Sequence, residues 1–146
     1  MNSKEFQDKI ALKELVDKVS IFGDKKDFQK QAQLFSKNAV SETFADGIVI
    51  LKLKRRKEIA EAFSKFLKNF DTVYHSNSQQ VVNIEGDMAS AISYCQVTLI
   101  GNENGQKMKT KIGVVYSDNF VRKNNGWLIE KRIGDFVWQE KSEVGE

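Results

Sequence analysis

Val73-Tyr74-His75-Ser76-Asn77 opens the apolar run that continues to Leu99, and the reading of that stretch decides the fold. Before it the chain has helical period; after it the chain reads as strand and tight turn. From Ser3 to about Phe22 the apolar residues Phe6, Ile10, Leu12, Leu15, Val16, Val19 and Phe22 recur mostly at steps of three and four, which predicts an amphipathic helix that Gly23 is suited to end. Asp27 predicts the N-cap of a shorter helix with Phe28, Ala32 and Phe35 on its inner face. Two short strands, Ala39–Phe44 and Ile48–Leu53, are predicted across an Asp46-Gly47 turn. A third helix is predicted from about Arg56 to Phe70 on the stripe Ile59, Phe63, Phe66, Leu67 and Phe70.

Long strands follow over Val73–Ile84, Met88–Ile100, Lys107–Arg122 and Trp127–Trp138, with His75 at the head of the first. The turns between them each pair Gly with Asn or Asp, residues that tolerate a positive φ. The polar residues after Trp138 are predicted to fray. Helices first and a meander of strands afterwards is an α+β pattern, with helices packed on one face of an antiparallel sheet. Alternation places Trp127, Ile129 and Ile133 on one face of the last strand and Leu128, Glu130 and Arg132 on the other. In the second, Ile92, Tyr94 and Ile100 oppose Ala91, Cys95, Val97 and Leu99. Both faces carry large apolar groups, so another subunit is expected to cover the outer face, as a homodimer or homotrimer.

The 146 residues suit one domain, 1–146, with an ordered part of about 3–138. A hydrophobic fraction of 40%, with 10 Phe, 2 Trp and 3 Tyr, supplies a core of large side chains. A net charge of +3 with both signs interspersed argues against nucleic acid as a partner. No run approaches the ~18–20 apolar residues of a membrane span, and the start lacks the apolar segment of a signal peptide. With Cys95 as the single cysteine, no disulfide can form within the chain, so a reducing, cytoplasmic setting is expected. There is no Cys/His cluster of ligand spacing and no phosphate-cradling glycine loop, so neither a metal nor a cofactor is expected. The basic run Lys52–Lys57 reads as a solvated strand end entering a helix, or more sharply as a patch for phosphate or an acidic partner; it lacks the interleaved aromatics of a single-strand nucleic-acid binder.

Three stretches carry a resemblance. They are Leu15-Val16-Asp17-Lys18 to Asp24-Lys25-Lys26-Asp27-Phe28; His75 followed by Val81 to Ala91; and Tyr116-Ser117-Asp118 to Gly126-Trp127-Leu128-Ile129-Glu130-Lys131-Arg132. In this order and spacing, over nearly the whole chain, they resemble the SnoaL-like branch of the nuclear transport factor 2 superfamily. The most telling pieces are the turn Glu85-Gly86-Asp87-x-Ala89 and the ending Asp118-x-x-x-Arg122…Gly126-Trp127-x-Ile129, which specify fold better than reaction.

The resemblance implies a cone: a curved antiparallel sheet wrapped by three helices of the N-terminal half, cystatin-like, around a deep apolar pocket. Relatives include scytalone dehydratase, ketosteroid isomerase, polyketide cyclases, a dehydrochlorinase and non-catalytic carriers. In the dehydratase-like and dehydrochlorinase-like members an Asp after the first helix pairs with a His at the head of the first long strand; these fall on Asp24 and His75. A pocket Arg of the dehydrochlorinase falls on Arg132. Departures are Gly23, where the dehydratase has Tyr; Cys95, at a second pocket His; and Val19, at a pocket Lys. The pocket is expected to be lined by Phe22, Phe44, Tyr116 and Trp138, together with Val19 and Cys95.

An imidazole titrating near ~6.5 can take a proton at neutral pH, and a carboxylate on its far nitrogen fixes the tautomer. In a dry pocket that suits proton abstraction from an acidic carbon, with Arg132 stabilising a developing anion. The expected function is thus a lyase or isomerase for a small hydrophobic or cyclic organic molecule. The alternatives are a module that binds a hydrophobic ligand or a partner without chemistry, and an interaction subunit whose pocket is filled by its own aromatics. Plainer readings stand beside these. His75 can be a satisfied strand-head residue, Asp24 a polar residue after a helix end, and Arg132 a charge paired with Glu130 or Asp135. Cys95 can be a small core residue instead of a nucleophile.

Overall fold

The structure, a computed structural model, describes residues 2–145. Helix α1 runs from Ser3 to Asp24, and the side chain of Asn2 caps it by accepting from the N–H of Glu5 at 2.8 Å. Its buried stripe is Leu12, Leu15, Val16, Val19, Ser20 and Gly23. Phe6 and Ile10, placed on that stripe by periodicity, are exposed, and Asp8 is buried in the same part of the helix.

The cause is a clamp. Nη1 and Nη2 of Arg122 donate to the Asp8 carboxylate at 2.9 and 2.8 Å, and Nε1 of Trp127 donates to Asp8 Oδ1 at 3.2 Å. Arg122 also donates to Asp87 at 3.1 Å and lies 4.2 Å over the Trp127 ring. Two separate sequence motifs, Glu85–Ala89 and Arg122…Gly126-Trp127, are therefore one device that fastens the start of α1 to two β-turns. The hydrogen bond from Arg122 holds the Asp8 carboxyl below its ordinary 3.8 against the opposing effect of burial, with Trp127 reinforcing it. Because the folded value lies below the unfolded one, this stabilisation is complete above the unfolded value and is lost as pH falls through the folded value. In urea titrations, the stability advantage of wild type over Asp8→Asn is expected to be wide at pH 7 and to narrow progressively below about pH 4. A gap that does not change with pH would contradict this.

A short helix α2, Phe28–Ala32, is capped by Asp27, which accepts from the N–H of Lys30 at 3.2 Å. Phe35 does not extend it but starts strand β1, Phe35–Ala45, at a fully buried position. Then come β2 (Ile48–Lys54), α3 (Arg56–Leu67), β3 (Thr72–Glu85), β4 (Met88–Glu103), β5 (Gln106–Lys123) and β6 (Gly126–Glu143). One curved six-stranded sheet results, in the order β2-β1-β6-β5-β4-β3. The α+β class and the meander of the last four strands are as expected, but the sheet is mixed, because β1 lies parallel to β6. β6 also continues to Glu143, opposite Met108, so residues 139–143 of the polar tail are paired instead of frayed, and the last residue of that tail lies outside the described residues. Arg56 donates from Nε and Nη2 to the carbonyl of Phe35 at 2.8 and 2.6 Å and so pins α3 to β1, while Lys52, Lys54 and Lys57 are exposed. No helix of the described residues is long and apolar enough to cross a membrane.

Two bulges overturn simple alternation in β6. Phe120 faces Ile129 and Asn119 faces Lys131, which leaves Glu130 as an extra residue. Trp127 and Ile129 point inward before it; Arg132 and Gly134 are buried after it. Ile133 therefore does not share a face with Trp127 and Ile129. A second extra residue, Val137, separates Phe136 opposite Val114 from Trp138 opposite Gly113. Trp138 is thereby turned outward over Gly113, where an added Cβ would stand 2.0 Å from the indole Nε1.

Candidate active site

Between the helices and the concave side of the sheet lies a cavity of about 260 Å³, below the ~300 Å³ lower end for drug-sized ligands. Val19 and Ser20 of α1, Gln31 of α2, Phe63 and Phe66 of α3, and Ser41 and Thr43 of β1 line it, along with His75, Tyr116 and Arg132. Most of the wall is hydrocarbon; the polar groups are few and can be taken one at a time.

Asp24 is the last residue of α1, and α1 crosses β3 beside it. Asn77 fixes that crossing: its amide donates to Asp17 Oδ1 and to Ser20 Oγ, both at 3.0 Å. The Asp24 carboxylate then accepts the backbone N–H of His75 at 3.1 and 3.2 Å, and its Oδ1 lies 2.6 Å from Nδ1 of the ring. An ionised carboxylate can only accept, so Nδ1 carries the hydrogen and Nε2 keeps its lone pair in the neutral ring. Among the described residues no protein group is bonded to Nε2. Gly23 makes room for this arrangement: a Cβ there would sit 3.0 Å from Gln31 Nε2 and 3.8 Å from His75 Cε1, so a bulky side chain at this position would push on both.

Arg132 is buried and paired with neither Glu130 nor Asp135. The Glu130 bulge turns it inward, where Nε and Nη2 donate to Asp118 at 2.8 and 3.2 Å and the guanidinium stacks 3.8 Å over the Tyr116 ring. Burial works against its charge, but Asp118 beside it more than offsets that and raises its pKa. Burial likewise pushes the Tyr116 phenol up, against the opposing pull of Arg132, so the hydroxyl keeps its proton and can donate.

Val19 and Tyr116 thus reach the cavity with His75 and Arg132, whereas Phe22, Phe44, Cys95 and Trp138 are not among its lining residues. Phe22 is half-buried on the flank of α1, beside the Val19–Gly23 stripe. Phe44 is paired with Asp135 on the face opposite to that of Thr43 and Gly134. Trp138 is turned out by the Val137 bulge. Cys95 is on the inner side but packed in the core with Val97 and Val114, and burial pushes its thiol up to about 11. It is a core residue with a protonated thiol. Among the described residues no group of three or more His, Cys, Asp or Glu is placed to hold a metal ion.

Fold and cavity together define a small α+β pocket protein whose single histidine is steered by a carboxylate. The family model described as a SnoaL-like domain matches residues 4–133, and the chain belongs to that family. Protein Rv2910c of Mycobacterium tuberculosis is 26% identical over 136 residues, covering 93% of this chain and 90% of that one. Among solved structures, a candidate scytalone dehydratase from Novosphingobium aromaticivorans superposes with a TM-score of 0.85 at 14% identity, over 99% of this chain and 93% of its own. A hexachlorocyclohexane dehydrochlorinase from Novosphingobium barchaimii gives 0.78 at 17% identity, over 97% and 94%. A nuclear transport factor 2-like protein with a cystatin-like fold from N. aromaticivorans gives 0.74 at 19%, over 92% and 84%. At these identities the structural matches establish the fold.

Proposed function

We propose that this protein is a small-molecule lyase or isomerase in which His75 is the general base and Asp24 positions it. One observation carries the reading: Nδ1 of His75 is tied to Asp24 at 2.6 Å, while among the described residues Nε2 has no protein partner and His75 lines an apolar cavity. Nε2 takes a proton from an acidic carbon, the electron pair moves into a new C=C bond or an enolate, and in an elimination a β-hydroxyl or halide departs. Asp24 stabilises the imidazolium as it forms. The Tyr116 hydroxyl and the guanidinium hydrogens of Arg132 not engaged by Asp118 are the donors available to the growing negative charge. Two of the similar structures are named for eliminations, a dehydratase and a dehydrochlorinase, which supports the reaction class.

A second reading, a carrier of the same fold, has its own support, since Arg132 already gives two nitrogens to Asp118. Turnover separates the two. The purified protein is incubated in D₂O with neutral cyclic compounds bearing a hydroxyl or halide β to an acidic C–H, scytalone and hexachlorocyclohexane among them. Substrate loss or deuterium uptake that disappears in a folded His75→Ala variant supports the enzyme. Ligands bound without turnover or exchange support the carrier, and turnover undiminished in that variant contradicts His75 as the base.

The second part of the proposal is that another copy of this chain covers the outer sheet face. Ile92, Tyr94, Val137 and Trp138 are exposed there, with Asp135 the charged residue beside them, opposite Val115. Such a patch is complementary to itself across a two-fold axis. Light scattering is expected to give a homo-oligomer for wild type and a monomer for Trp138→Arg; a monomeric wild type would contradict this.

A further inference from the structure

Gln31 is not used by the proposed base mechanism, yet it is a buried amide at the cavity wall with 5% of its surface exposed. Its orientation is fixed by chemistry. Nε2 donates to the carbonyl of Val19 at 2.8 Å, and a carbonyl can only accept, so the amide nitrogen must be the atom on that side. The other atom, Oε1, meets no protein donor among the described residues, yet it is not a sealed, unsatisfied group either, so it opens onto the cavity. A Cβ at Gly23 would lie 3.0 Å from Gln31 Nε2 and 3.8 Å from His75 Cε1, so the Gln31 amide and the His75 ring flank the same glycine.

The polar groups of the cavity therefore divide by kind. The acceptors are Gln31 Oε1 and His75 Nε2; the donors, Arg132 and the Tyr116 hydroxyl, come from β6 and β5. Arg132 is neutralised by Asp118, so no unpaired cation invites an anionic ligand. A ligand that leaves Oε1 facing hydrocarbon bears the cost of an unpaired polar group; one with a hydroxyl at that point does not.

We infer that Gln31 is a recognition residue for a hydroxyl on a compact, uncharged ligand, held next to the atom that His75 approaches. The inference rests on the reading above only in taking the cavity as the ligand site. Its test reads binding instead of turnover, so a failure of the base chemistry would leave it intact.

The probes are 2-naphthol and its methyl ether, 2-methoxynaphthalene, titrated by calorimetry. Wild type is expected to bind the naphthol about tenfold more tightly than the ether, the effect of one hydrogen bond. Gln31→Met should bring that ratio to about one without weakening the ether. His75→Phe should leave the preference in place, and this arm decides the matter should Gln31→Met fail to fold by circular dichroism. Equal binding of the two probes by wild type, a preference that survives Gln31→Met, a preference lost in His75→Phe, or no binding of either probe would overturn the assignment.

Discussion

Alanine in place of His75 is expected to lower kcat/KM by about 10²- to 10⁴-fold on any substrate that wild type turns over, the usual contribution of a positioned general base. The ring lies at the cavity wall, and its only protein partner on the ring nitrogens, among the described residues, is Asp24. Removal of the imidazole therefore deletes the base without emptying the core. The companion variant Asp24→Asn makes the prediction sharper. The same oxygen, Oδ1, lies 3.1 Å from the backbone nitrogen of His75 and 2.6 Å from Nδ1, so an amide oxygen can keep both bonds. What Asn lacks is the negative charge that stabilises the imidazolium. Its loss should therefore fall between wild type and His75→Ala, and mainly in kcat, because Asp24 does not touch the ligand. Steady-state kinetics on the three proteins checks the order. An Asp24→Asn variant as impaired as His75→Ala would point to a broken site instead of a missing charge.

The second large effect concerns stability. Asp118→Ala should destabilise the protein by about 3–5 kcal/mol, measured as a shift of the urea midpoint, because it strands a buried guanidinium. Asp118 is 1% and Arg132 6% exposed, so water cannot take over the lost hydrogen bonds. The pair itself need not be a strong net contributor, since bringing two charges out of water costs about what their attraction returns. The double variant Asp118→Leu with Arg132→Met should accordingly recover much of the loss. A cost under about 1 kcal/mol for Asp118→Ala would mean that Arg132 finds water or another acceptor.

These two sites were legible in the sequence to different degrees, for physical reasons. Period two after Val73 and period 3.6 before it located the sheet and helices, because burial on one side repeats with the element's own geometry. The Asp87, Arg122 and Trp127 motifs belong to turns whose partners are fixed by tight geometry, and they marked the fold without revealing that Asp8 closes the clamp, since a lone Asp in a helix has no period. Asp24 and His75 are 51 positions apart, and only their resemblance to known relatives linked them. Face assignments in β6 failed at Glu130 and Val137 because a bulge shifts parity by one, and neither residue differs from its neighbours in a way that signals it. The Glu130 bulge gives the inward turn of Arg132 toward Asp118, and the Val137 bulge gives the outward turn of Trp138. Phe63 and Phe66 of the cavity had been visible on the α3 stripe. Gln31 had not, since a buried amide looks like a surface residue until its neighbours are known.

The tautomer of the His75 ring is the decisive observable. With His75 as the only histidine, ¹⁵N labelling of that residue gives one pair of ring signals in long-range proton–nitrogen spectra, recorded where the ring is neutral. A protonated Nδ1 and a bare Nε2 are expected. A proton on Nε2 with a bare Nδ1 would contradict His75 as the base, since the nitrogen facing the cavity could then accept nothing.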